Sequence, residues 1–161
     1  MKSLVAGLAV MTTLVVTPLG AQRASVLRDV RSVHVLPTEV TSPERVKEDF
    51  AANLVQDSLR NSLEASNFEV SEGASVKAKI VLEEFSSGST AKRMLVGFGS
   101  GRSSVAGRLV VNDANNKELA NIPIKVRGNL AWSGYQGGNT QRRQATSSFE
   151  QRLIEEIARL K

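Results

Sequence analysis

Apolar and polar residues alternate through "VRSVHVLP", with Val33 and Val35 on one side, His34 and Leu36 on the other, and Pro37 closing the run. That period of two predicts a short strand with one face toward a core. Ser42-Pro43-Glu44 then carries a helix-start signature. Serine can accept from a first-turn N–H, and proline suits the first helical position because no N–H is lost there. The spacing predicts a helix running to about Ala65, with Val46, Phe50, Leu54, Leu59 and Leu63 on its buried stripe and Asn67 at its exit. "FEVSEG" predicts a brief strand. The clearest alternation follows, with Val76, Ala78, Ile80 and Leu82 set against Lys77, Lys79, Val81 and Glu83. One face of that strand is buried and the other is largely wet.

Past residue 100, Val105, Leu109 and Val111 face one way, with Ala106, Arg108 and Val110 opposite. "NDANNK" reads as a turn. The return strand holds Ile122, Ile124 and Val126 inward with Lys125 and Arg127 outward. Pro123 has no ladder donor, so it predicts a strand start or a sheet edge. A last helix from about Gln141 carries Phe149, Leu153, Ile154, Ile157 and Ala158 on one stripe. The resulting order, β-α-β-β-β-β-α, predicts an α+β two-layer sandwich. Its sheet is mainly antiparallel and both helices pack on one face.

The 161 residues leave room for one domain once the first stretch is set aside. Met1-Lys2, an apolar run over Leu4–Val16, and Pro18 and Gly20 before Ala21 follow the order of a secretory signal peptide. The expected division is therefore a signal peptide over 1–21, a linker over 22–29 and one domain over 30–161. The apolar run is shorter than the roughly 20 residues that span a bilayer. The chain has no cysteine, so it has no disulfide, no thiolate ligand and no lipid-modified cysteine. The expected location is the periplasm or outside the cell, without a lipid anchor.

Net charge is +5, and its distribution is uneven. Gln22–Phe85 holds 8 Lys/Arg against 11 Asp/Glu, whereas Ser86–Ala145 holds 9 against 2. The second region therefore suits anionic surfaces within a screening length of about 10 Å at 0.1 M salt. Nucleic acid is not the expected target, because export and 4% aromatic content leave few stacking platforms.

Candidate chemistry is sparse. Gly97, Gly99 and Gly101 alternate in "AKRMLVGFGSGRSS". A phosphate cradle needs a helix directly after such a loop, and here a strand follows, so the run reads as a bulge or a close backbone approach. Lys92, Arg93 and Arg102 bracket Met94, Leu95, Val96 and Phe98, a mix that fits a partner surface. Trp132 and Tyr135, the only Trp and the only Tyr, share a glycine-rich loop suited to contacts. His34 is the only histidine, and Glu83 and Glu84, as strand neighbours, are expected on opposite faces. No nucleophile elbow, metal-binding histidine pair or carboxylate cluster is present. The residues predict no enzyme, no cofactor and no metal.

The element order, together with Arg93, Gly97, Gly99, Gly101 and the Asp113 turn of "RMLVGFGSGRSSVAGRLVVNDANNKEL", resembles the bacterial domain-of-unknown-function 4410 family. The resemblance implies an envelope protein, often lipid-anchored. Its implied fold is an α/β sandwich like the amino-terminal domain of the periplasmic Tol-system propeller protein, without known catalysis or cofactor. This chain departs from the lipoprotein members in lacking the lipidation cysteine, and Asn115-Asn116 replace the usual Thr-Gly of the turn.

The expected function is an exported, non-enzymatic module that binds an envelope protein through Arg93, Phe98, Arg102, Trp132 and Tyr135. The alternative is a module for lipid head groups or polyanionic glycans, using Lys92, Arg93, Arg102, Arg108, Lys125 and Arg127. Salt separates the two, because cation-driven surface binding weakens with ionic strength and a desolvated interface changes little.

Overall fold

The computed structural model describes residues 26–46, 49–86, 103–127 and 138–161. Its strands are β1 (Ser32–Val35), β2 (Glu39–Val40), β3 (Glu69–Val70), β4 (Val76–Ser86), β5 (Ser104–Asn112) and β6 (Glu118–Arg127). Its helices are α1 (Ala51–Ala65) and α2 (Gly138–Leu160). They form an open mixed sheet in the order β3-β1-β4-β5-β6, with β2 also beside β4. The α+β class is the one read from the sequence, and the element order is as read with the two-residue β2 added before α1.

Chain connections explain the mixture. β4, β5 and β6 follow one another and pair antiparallel over long registers. β1 and β2 lie on the chain before α1, and β3 and β4 lie after it. Strands joined through a helix return in the same direction, so β1 pairs parallel with β3 and β4, and β2 pairs parallel with β4. The Leu36 N–H donates to the Ala78 carbonyl (2.9 Å) and the Thr41 N–H to the Leu82 carbonyl (3.1 Å), which carries the ladder across the Pro37 break.

The alternation in β4 becomes burial. Ala78, Ile80 and Leu82 are at most 2% exposed and join Val33, Val35, Val105, Leu109, Ile122 and Ile124 beneath the helices. Pro123 does sit on an edge strand, but in the middle of β6 rather than at its start.

The first helix departs from its expected boundaries. Ser42 provides no side-chain cap, Pro43–Arg45 forms only a single 3₁₀ turn, and α1 begins at Ala51. The reason is competition from the sheet: Val46 makes a parallel bridge to Phe85, which holds the backbone extended where the helix was expected. The later start turns the buried stripe to Ala51, Val55, Leu59 and Leu63, with Ser58 and Ser62 beside it. Phe50 is left 40% exposed, its ring edge-on to Phe85 at 6.1 Å. The exit is as read: Asn67 takes φ 61°, and the Phe68 N–H donates to the Leu63 carbonyl (3.0 Å).

The two helices run in the same direction. Asn61 Nδ2 donates to Glu150 Oε1 (2.9 Å), and Lys161 at the end of α2 donates to the Ser66 carbonyl at the end of α1. Small side chains permit the close crossing, since the fully buried Ser62 hydroxyl bonds the Ser58 carbonyl (2.6 Å) of its own helix. On α2, Ala145, Phe149, Leu153, Ile157 and Leu160 face the core, while Ile154 is half-buried and Ala158 is exposed. Leu27, in the segment read as a linker, is buried in the core, and its N–H donates to the Leu160 carbonyl (2.7 Å).

Two local features set register. Asp113 accepts from the N–H groups of Asn115 (2.8 Å) and Lys117 (2.9 Å), and Asn116 takes φ 61°. Between Leu82 and Glu84 the β4–β5 register shifts by a bulge, and Gly107 faces it. A Cβ on Gly107 would lie 2.6 Å from the Val81 carbonyl oxygen and 3.3 Å from the Leu82 Cα, backbone atoms with no room to yield.

Gly107→Ala is therefore expected to cost about 2–3 kcal/mol through overpacking, read as a lower urea midpoint with an unchanged slope. Asn116→Ala is expected to cost about 1 kcal/mol for the left-handed backbone, whereas Asn116→Gly retains wild-type stability in the same titration.

Candidate functional site

One end of the sheet gathers the segments that the sequence marked for contact. Ser86 at the end of β4 is the register partner of Ser104 at the start of β5, and Ser104 is the partner of Arg127 at the end of β6. The chain carrying Gly97, Gly99 and Gly101 leaves from Ser86 and returns to Ser104. The chain carrying Trp132 and Tyr135 leaves from Arg127. Both segments are therefore rooted at the same sheet end, opposite the Asp113 turn.

That end also holds the amino termini of both helices. α1 starts beside Phe85, and α2 starts where the chain returns from β6. Parallel helices direct the positive ends of both macrodipoles there. Neither helix has an acidic residue in its first turn, although Asp49 precedes α1. Phe50 contributes exposed apolar surface to the same end.

The sheet face away from the helices carries the charges. Lys79 Nζ lies 2.6 Å from Glu39 Oε2, and Arg108 Nε lies 2.9 Å from Glu83 Oε1 as an ion contact without hydrogen-bond alignment. The Lys79 ammonium, bonded to Glu39 and adding its charge, holds that carboxyl below the ordinary value; Arg108 contributes less. The Ser104 hydroxyl donates to Glu84. Both carboxylates of Glu83-Glu84 therefore reach this face, contrary to the opposite-face expectation. The bulge supplies the reason, because an extra residue in one strand breaks the alternation that would have separated them. Between the charges lie Val81, Ala106 and Val110, buried but outside the main core.

Arg108, Lys125 and Arg127 share this face by register, and Arg108 is ion-paired while Lys125 and Arg127 are exposed. Lys92, Arg93, Gly97, Phe98, Gly99, Gly101, Arg102, Trp132 and Tyr135 lie outside the described residues. Sequence reasoning missed Phe50 as a surface residue, since helical periodicity assigned it to the stripe. It also missed Gly107, an isolated glycine in a strand whose signal was available. Among the described residues no group of three or more His, Asp or Glu side chains could hold a metal. No helix among them is long and apolar enough to cross a membrane.

The family model described as "Domain of unknown function (DUF4410)" matches residues 23–130. The chain belongs to this family. Among solved structures, the DUF4410 chain is similar to PelC of Paraburkholderia phytofirmans, a dodecamer, with 11% identity and a TM-score of 0.57, covering 79% of this chain and 87% of that one. It is also similar to a Xanthomonas campestris protein of the DUF330 family, with 15% identity and a TM-score of 0.56, covering 90% of each chain. At these identities the likeness is one of fold. No curated protein matches the chain.

The Glu39–Lys79 contact has a measurable consequence. A depressed carboxyl contributes stability above the unfolded carboxylate range and loses it as pH falls through the lowered folded value. Lys79→Met is expected to move the Glu39 midpoint up toward the ordinary value. A side-chain carboxyl NMR titration checks this, and an unchanged midpoint would refute the assigned cause.

Proposed function

We propose that the chain is an exported cell-envelope domain that works as a protein-interaction module and carries no catalysis of its own. The observation behind this reading is the register Ser86, Ser104 and Arg127, which roots the glycine crossover and the Trp132–Tyr135 segment at one sheet end beside exposed Phe50. The residue types these segments carry in sequence, apolar and aromatic with arginine among them, suit a protein contact, because apolar groups supply desolvation and charged ones orientation. The address rests on the signal-like order of residues 1–21. The PelC structure with a similar fold is a dodecamer, so subunit contacts are one use to which that protein puts this architecture.

Photo-crosslinking in living cells tests the proposal, with the probe placed in turn at Phe50, Phe98 and Trp132 and, as a control, at Asn115 in the far turn. The expected result is a discrete protein adduct from the first three positions and none from Asn115. Adducts of equal yield from Asn115 would remove the site. Absence of protein adducts, with the chain recovered from membranes by salt, would replace the reading with an anionic surface.

A further inference from the structure

Ion pairs on the outer sheet face follow a cross-strand rule. β4 carries two cations on this face: Lys77 donates to Asn116 Oδ1 (3.0 Å) in the far turn, and Lys79 takes its carboxylate from β2 through Glu39. The paired cation of β5, Arg108, takes its carboxylate from β4 through Glu83. In each ion pair the neighbouring strand supplies the anion. β6 carries two more cations on this face, Lys125 and Arg127, both exposed, and no ion pair joins either to a described residue. Among the described residues no strand lies beyond β6 to supply the next anion.

The backbone of β6 is arranged for such a neighbour. Pro123 pairs opposite Arg108. A proline occupies a sheet only where its missing N–H faces away from the ladder. Antiparallel pairs alternate between bonded and non-bonded positions, so Lys125 and Arg127, two and four residues further on, share the outward orientation of Pro123. Their N–H and C=O groups then face away from β5, where no described strand lies, and their side chains stand on one face roughly 7 Å apart.

We infer that β6 accepts an added strand from an acidic, extended segment of a partner protein, with carboxylates two residues apart opposite Lys125 and Arg127. The inference rests on the interaction-module reading and names the chemistry of the partner. Main-chain bonds to the edge supply the attachment, and the two cations select the sequence. Pro123 limits pairing to the Ile124–Arg127 half of the strand and blunts the rest against indiscriminate edge contacts.

The test is fluorescence anisotropy of the full exported chain with a labelled peptide of alternating Thr and Glu, matched in length to β6. Amide exchange on β6 is followed in parallel. The expected result is saturable binding with slowed exchange at Lys125 and Arg127. K125E/R127E, two exposed substitutions checked for fold by circular dichroism, is expected to weaken that binding at least about tenfold. The same variant should take up the Thr/Lys peptide that wild type rejects. Equal binding by wild type and K125E/R127E would overturn the inference. So would undiminished binding of an acidic peptide with prolines at alternate positions, which keeps the charge and removes the pairing. Absence of peptide binding, or binding only to phosphatidylglycerol vesicles through Lys125 and Arg127, would overturn it as well. Protein adducts from Phe98 or Trp132 that persist alongside peptide failure would leave the interaction-module reading standing.

Discussion

The backbone ladder of Val76–Ser86 positions nearly every other element of this domain. β1 and β2 bond to one side of that strand and β5 to the other, and Val46 bridges to its Phe85. A strand bonded along both edges satisfies its N–H and C=O groups without water, and its apolar face can lie under two helices at no cost in unpaired polar groups. Ile80 and Leu82, both fully buried, sit at the centre of that arrangement. Displacing β4 by one residue would turn these side chains outward and bring Lys79 and Val81 in, so the register is strongly determined.

The bulge beside Leu82 is where the ladder yields, and the outer face is organised around it. Two adjacent glutamates reach the same face, one meeting Arg108 and the other Ser104. The glycine that permits this is Gly107, which lets the Val81 carbonyl approach closer than any Cβ would allow. A backbone irregularity thus adds Glu84 to the face that Glu83 already occupies. Lys79 and Arg108 are held in cross-strand ion pairs, Lys77 bonds Asn116, and no ion pair joins Lys125 or Arg127 of β6 to a described residue. The same ladder ends at Ser86, Ser104 and Arg127, so the geometry of the candidate site follows from the pairing that builds the core.

Period-two alternation was enough to locate β1, β4, β5 and β6, because burial of one sheet face leaves a direct mark on residue order. Asn67 and Asn116 were also legible, since few residues tolerate a left-handed backbone and both positions lie where the chain must turn. The start of α1 was not. Ser42-Pro43-Glu44 is a sound local signal, but local preference amounts to about 1 kcal/mol, and the bridge from Val46 to Phe85 forms between residues 39 positions apart. Phe50 was misplaced for the same reason, as its exposure depends on where the helix begins.

By itself the sequence determined the class of fold, the family, and the inventory of groups available for contact, with no cysteine and a single histidine among them. These are properties of composition and short-range periodicity. Tertiary structure alone decided which strands run parallel, that Glu83 and Glu84 share a face, and that two segments separated by all of β5 and β6 begin at one end of the sheet. It also decided that Arg108 is ion-paired to Glu83, whereas no ion pair joins Lys125 or Arg127 to a described residue. Each of these depends on hydrogen-bond register between distant strands, and the energy that sets register is shared across the whole ladder and is absent from any local stretch of residues.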